Sequence, residues 1–160
     1  MSAGSLMHRQ SAKLAVWQKV LLIASGLCLF LSGIGWLLLH HYGQITGPFG
    51  PEPNPFEPWF LRAHGLVLIP ALLGFGSLFV AHMPKGWRFE KHRIVAVLLT
   101  TVVAILIASG YLLYYVGDDI AREWTSKIHW IVGLGLPVVF VWHYIGRTTK
   151  KRGEGKKLDL

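Results

Sequence analysis

The chain has eight histidines, whose imidazoles can transfer protons and bind metals. Four of them lie in long apolar stretches. An imidazole costs free energy in hydrocarbon unless it has a partner, so a histidine in such a stretch indicates a functional site. Neutral imidazole nitrogens are also the commonest metal ligands in proteins. The four residues are His64, His82, His129 and His143.

The spacing of these histidines divides them into two levels. His129 and His143 are 14 residues apart, which is about four helical turns and about 21 Å. His64 and His82 are 18 residues apart, which is about five turns and about 27 Å. Both spacings keep the two side chains on one helix face. Each helix therefore carries one histidine near each of its ends.

Two imidazoles that face each other at one depth are the axial ligands of a six-coordinate haem iron. If the two helices run parallel, His64 and His129 form an outer pair, and His82 and His143 form an inner pair. The spacings differ by about 6 Å, which helix tilt could absorb, or His8 could replace His82 as the inner ligand. A zinc site would need four ligands at one point, whereas the helical rise separates these residues into pairs.

Other residues near these levels leave two interpretations open. His40 and His41 could supply another outer ligand, bind a haem propionate or carry protons for a quinone, with His41 the tentative cofactor contact. Polar residues that close a helix at headgroup depth explain them equally well. Glycines between the levels could make room for a flat macrocycle or could serve ordinary helix packing in lipid. These glycines are Gly33, Gly35, Gly74, Gly76, Gly110, Gly133 and Gly135.

Four stretches without Asp, Glu, Lys or Arg must position the histidines: residues 20–39, 63–84, 94–117 and 128–145. Each is close to the ~20 residues that cross a ~30 Å hydrocarbon core as a helix. The chain has 15% charged residues, against about 25% in soluble domains. The sequence predicts an all-α integral membrane protein, a four-helix up-down-up-down bundle in which the second and fourth helices are parallel.

The loops between these helices differ in composition. Prolines and glycines exclude a helix from the first outer loop, residues 42–58, and residues 118–123 predict a short acidic second loop. No internal repeat stands out. With a single cysteine, Cys28, the chain has no disulfide framework, no four-thiolate iron–sulfur site and no Cys-x-x-Cys-His motif for covalent haem.

Basic residues predict the orientation of the chain. Thirteen of the 16 Lys and Arg residues lie in the N-terminal segment, the loop after the second helix and the tail, which gives that side a net charge of +10 against −2 on the other. Because cytoplasmic loops accumulate Lys and Arg, both termini are predicted to be cytoplasmic. The predicted parts are a cytoplasmic N-terminal segment (1–16), a transmembrane haem-binding domain (17–147) and a basic cytoplasmic tail (148–160). The tail suits anionic lipid headgroups, and nothing indicates nucleic-acid binding.

Several segments resemble a known family. The 14-residue spacing on the last helix and LRAHG at residues 61–65 resemble the four-helix dihaem cytochrome b subunits of formate dehydrogenases and nickel-iron hydrogenases, and bacterial b561-type cytochromes. WLLLHHYG, GPFGPEPNPFEPWFLRAHG, and GYLLYYVGDD followed by HW look closer still to small bacterial membrane proteins of unknown function related to them. The resemblance covers about residues 17 to 147.

The resemblance implies two b haems, with His129 and His143 each ligating one and His64 as the outer partner of His129. The family takes its other inner ligand from the first helix, which has no histidine at that end here, so His82 is the substitute. The implied role is electron transfer between quinone and a periplasmic c-type cytochrome or oxidoreductase catalytic subunit, in the bacterial inner membrane. Such a protein is a subunit of a complex rather than an enzyme by itself.

Two alternatives come from other functional classes. A haem-free membrane anchor or assembly subunit of a larger complex has the same four spans. A proton-coupled carrier fits less well, because the apolar stretches contain no Asp or Glu to relay protons.

Overall fold

The chain forms four long helices in a computed structural model that describes residues 14–81 and 93–155, with side chains at 14–80 and 93–144. The predicted all-α class with four membrane-spanning helices is confirmed. The helices are α1 (Val16–Tyr42), α2 (Glu57–Ala81), α3 (Arg93–Tyr115) and α4 (Asp119–Gly155), and two short strands, β1 (Ile45–Gly47) and β2 (Gly50–Glu52), connect α1 to α2.

Each helix contains a segment long and apolar enough to cross a membrane. The mean hydropathy of these segments runs from 1.3 in α4 to 2.4 in α3. All four have at least 23 residues, and about 20 suffice to span the hydrocarbon core. The segments are Val16–Tyr42, Glu57–Val80, Arg93–Tyr115 and Asp119–Tyr144.

The helices associate as two hairpins, α1 with α2 and α3 with α4. In the first hairpin, Gln18 Nε2 donates to Ser77 Oγ at 3.1 Å, and Ser32 contacts His64 further along. Residue numbers rise on α1 as they fall on α2, so the two helices are antiparallel. In each hairpin, the side-chain contacts are made between its own two helices.

Burial within the hairpins is the reverse of that in a soluble protein. On α1 the buried residues are Gln18, Ser25 and Ser32, whereas no large apolar side chain is buried in the described part of the chain. Helices in lipid gain nothing by hiding leucine from the solvent, so small and polar residues occupy their contacts. The apolar side chains face outward, as a membrane requires.

The connection between α1 and α2 contains no helix from residue 43 to 56, as its prolines and glycines predict. It is shorter than the predicted loop of residues 42–58, because α1 extends to Tyr42 and α2 begins at Glu57. It is an antiparallel ribbon in which Gly47 pairs with Gly50, a feature that the sequence analysis did not anticipate. Gly50 has a φ of +127°, a conformation that favours glycine. Asn54 Nδ2 donates to the Gly43 carbonyl at 2.8 Å and ties the loop back to the end of α1.

The predicted second loop is largely wrong, because α4 already begins at Asp119. Asp118 Oδ1 accepts a hydrogen bond from the Ala121 N–H at 2.8 Å, as an N-cap side chain does. Acidic residues also favour the first turn of a helix, where they offset the positive end of its dipole. Residues 119–123 therefore form the start of α4, and only residues 116–118 connect α3 to α4.

A close helix contact in the first hairpin depends on Gly35. A Cβ atom at this position would overlap the Phe60 ring, whereas a Cβ at Gly26 would meet nothing within 4 Å. We expect Gly35→Ala to lower the free energy of unfolding by about 1–3 kcal/mol, the usual cost of overpacking. Thermal unfolding in detergent measures this effect, with Gly26→Ala as the matched control. Equal melting temperatures for the two variants would contradict the predicted contact.

Candidate functional site

The first hairpin holds a histidine against a buried serine. His64 lies two turns into α2 and is partly buried. Its Nδ1 is 3.0 Å from the Oγ of Ser32 on α1, and Ser32 is only 7% exposed. Next to that serine, a Cβ at Gly33 would lie 3.6 Å from His64 Cε1. The imidazole therefore packs on a Ser-Gly step of the neighbouring helix.

The second hairpin repeats this arrangement. The Nδ1 of His129 on α4 is 2.8 Å from the Oγ of Ser109 on α3, and Ser109 is 6% exposed. A Cβ at Gly110 would lie 3.3 Å from His129 Cε1, closer than in the first hairpin. Each predicted outer ligand thus faces a Ser-Gly dipeptide of the helix that precedes it in the chain.

A tryptophan and a cation precede each of these histidines. Arg62 lies over the Trp59 ring at 4.9 Å, and Lys127 lies over the Trp124 ring at 5.2 Å. Trp59 and Trp124 are 62% and 61% exposed, so they present similar surfaces. The two helices share the pattern Trp-x-x-(Arg/Lys)-x-His. Sequence reasoning missed this repeat, although the pattern and the Ser-Gly steps are the signal that could have found it.

Several of the predicted glycines lie at contacts between helices. Gly33 and Gly110 lie beside the imidazoles of His64 and His129, so the missing Cβ atoms let each ring approach the neighbouring helix. By contrast, Gly35 faces Phe60, and a Cβ at Gly74 would lie 3.2 Å from Leu22, which are ordinary contacts between packed helices.

A cleft opens beside the histidine contact of the second hairpin. Its volume is about 220 Å³. Its lining is mainly apolar, which suits the edge of an apolar ligand. The lining residues are Ile105, Ala108, Ser109, Leu112, Thr125 and Ile128.

The predicted inner ligands are only partly within the described residues. His143 is partly buried and lies on α4, the same continuous helix as His129. His82, its predicted partner, and His8, the alternative, lie outside the described residues, as does His92.

His40, rather than His41, makes the contact between helices at the end of α1. His40 Nδ1 is 3.1 Å from Glu57 Oε2 and stacks on Trp36 with a centroid distance of 4.7 Å. The His41 ring meets the His40 ring edge-on, with a centroid distance of 5.2 Å. Glu57 is 8% exposed, and its Oε1 has no hydrogen-bond partner among the described residues. The sequence analysis placed Glu57 inside the first outer loop, residues 42–58, although its position directly after the proline-rich segment could have marked it as a helix start.

No family model, curated protein or solved structure matches this chain. The resemblance to dihaem cytochrome b subunits accordingly stays a prediction from the sequence.

The donor set can be compared with what a haem iron needs. In residues 14–80 and 93–144, no three His, Cys, Asp or Glu side chains form a metal-binding group. A bis-histidine haem takes two axial imidazoles and no further protein ligand on its iron. His64 and His129 supply imidazoles in membrane-spanning helices, each in contact through Nδ1 with a serine and each beside a glycine. Each of the two residues has the chemistry of an axial haem ligand.

Proposed function

We propose that this protein is a membrane cytochrome b that holds two non-covalent b haems and transfers electrons between the quinone pool and a periplasmic redox partner. One observation carries the proposal. Each described hairpin contains a histidine of a membrane-spanning helix whose Nδ1 contacts a buried serine of the neighbouring helix. A hydrogen bond to one ring nitrogen orients the other toward a metal, as outer partners do for most metal-binding histidines.

The proposed ligands follow the pairs predicted from the sequence. His64 and His129 would ligate the outer haem, and His143 with His82 the inner one. When bound, haem supplies the one-electron chemistry. The chain's own part is to orient the imidazoles, which approach the neighbouring helix at Gly33 and Gly110, and to keep water away with apolar helices. Axial ligand identity, hydrogen bonds to the ligands and burial then set the potentials.

The membrane in which the protein lies and its orientation there are also part of the proposal. The asymmetry of basic residues supports a bacterial inner-membrane protein with both termini in the cytoplasm. In that orientation the β1–β2 ribbon faces the periplasm, where a c-type cytochrome or an oxidoreductase catalytic subunit would dock. The basic tail would contact anionic lipid headgroups. The chain would act as an electron-transfer subunit rather than as an enzyme by itself.

A visible spectrum of the purified protein tests the proposal. We expect Soret and α bands that sharpen on reduction with dithionite, and about two haems per chain by pyridine haemochrome assay. Material from cells supplied with a haem precursor excludes simple underloading. A folded protein without these bands would reject the proposal and would favour the haem-free anchor. His92→Ala, in the predicted cytoplasmic loop, should leave the haem content unchanged.

A further inference from the structure

The segment between α1 and α2, residues 43–56, presents large apolar side chains to the outside. Phe49 lies in the turn between β1 and β2 and is 100% exposed. Ile45 and Phe56 are exposed as well, and the exposed polar side chains Gln44 and Thr46 carry no charge. Single exposed apolar residues are common, whereas several on one short segment indicate an interaction surface.

The more polar side chains of this segment are held against its own backbone. Asn54 Nδ2 donates to the Gly43 carbonyl at 2.8 Å, and Asn54 Oδ1 accepts from the Phe56 N–H at 3.0 Å. Glu52, the single charged residue in residues 43–56, is partly buried, and its side chain lies against Gly47. A loop surrounded by water typically exposes its charges instead. The segment therefore has its aromatic rings outside and its charge inside, like the burial in the spanning helices.

Both ends of the segment begin at the membrane boundary. Tyr42 is the last residue of one membrane-spanning segment, and Glu57 is the first residue of the next. Tyr42 and Trp59 are exposed, and the exposed Arg62 lies over the Trp59 ring at 4.9 Å. Tyrosine and tryptophan are enriched at headgroup depth, where cations also meet lipid phosphates. The exposed aromatics of residues 43–56 are thus continuous with a lipid-facing surface.

We propose that residues 43–56 lie on the surface of the bilayer that α1 and α2 cross, with Phe49 inserted among the lipid headgroups as an anchor of the first hairpin. A three-residue strand such as β1 extends about 10 Å. The headgroup layer is roughly 5–8 Å thick on each side of the bilayer. An upright ribbon would therefore hold the Phe49 ring in water, whereas a ribbon along the surface keeps the ring in the layer that aromatic side chains favour.

A lipid surface fits this segment better than a docked redox protein does. Charged patches steer and orient protein partners, and the segment offers a single carboxylate, Glu52, which is partly buried. Lipid headgroups accept aromatic rings without any such charge pattern. The proposal concerns the bilayer alone, so it does not depend on bound haem.

Fluorine-19 NMR of the full chain, labelled with fluorophenylalanine and held in phosphatidylcholine nanodiscs, tests the proposal. The Phe49 signal is assigned by its loss in Phe49→Leu. We expect a lipid with a nitroxide near its headgroup to broaden this signal, and a water-soluble gadolinium chelate to leave it sharp. Phe30 is the depth reference, because it lies 12 residues before Tyr42 on α1, about 18 Å along the helix. Its signal should respond instead to a nitroxide near the end of the acyl chain.

Two results would overturn the proposal. Broadening of the Phe49 signal by the chelate instead of the lipid would place the ribbon in water. Protection of this signal from both agents would mean that a protein surface covers the ring. Failure of the cytochrome proposal is read separately, from the visible spectrum.

A charge at the turn provides a second test with a matched control. Pro48→Glu places a carboxylate next to Phe49, whereas Pro48→Gln makes the same backbone change without the charge. In nanodiscs that contain anionic phosphatidylglycerol, repulsion should move Phe49 of the charged variant out of the headgroup layer, with loss of the broadening by lipid. The neutral variant should match the wild type, and high salt should restore the charged variant by screening. Equal broadening in the two variants would contradict contact between the turn and lipid.

Discussion

Replacing His129 by alanine is expected to lower the haem content from about two per chain to about one, because a bis-histidine haem is not retained when one of its axial ligands is removed. His64→Ala should have the same effect. The double variant shows whether the two histidines ligate the same iron or different irons. If both histidines ligate one iron, the double variant keeps the other haem and binds as much as either single variant.

The measurement is haem per protein by pyridine haemochrome assay, with a redox titration to identify which haem remains. His92→Ala, in the predicted cytoplasmic loop, serves as the control. A double variant that loses both haems would show that His64 and His129 ligate different irons. Full haem content in either single variant would mean that the ligands are misassigned.

His143→Ala is expected to remove the other haem. His129 and His143 are about 21 Å apart along α4, too far to share one iron. The variant that lacks both histidines should therefore be colourless, with its Soret absorbance lost. Circular dichroism checks that the four helices persist.

Tyr144→Phe provides the neighbouring control, because Tyr144 is next to His143 and 63% exposed. It should keep both haems. A His129→Ala/His143→Ala variant that still binds haem would reject the two-level arrangement. Comparing the haem content of His143→Ala with that of His82→Ala and His8→Ala then identifies the second inner ligand. Only substitution of the true partner removes the same haem.

Much of the fold could be predicted from the sequence because few backbone structures satisfy their hydrogen bonds in the hydrocarbon core. Long segments without charge must become helices, and the prolines around Asn54 keep the first connection non-helical. The start of α4 was harder to predict, because Asp118 and Asp119 are equally typical of a loop and of a helix N-terminus. Only the hydrogen bond from the Ala121 N–H to Asp118 distinguishes the two.

The sequence singled out the candidate histidines of the site and not the residues that contact them. Their spacing, and the cost of histidine in lipid, pointed to His64 and His129, whose role as ligands stays a prediction. Ser32 and Ser109 carry no such signal, since serine in a membrane helix usually packs against a neighbour or bonds its own backbone. Their role depends on which histidine lies across the contact, and that register is a property of the paired helices.

Each imidazole takes its hydrogen bond from within its own pair of adjacent helices. During biosynthesis such a pair can leave the translocation machinery as one unit with its ring already aimed. The two halves of the chain need not meet before these rings are oriented. If the protein holds haem as proposed, its maturation would then depend on delivery of haem rather than on rearrangement of these side chains.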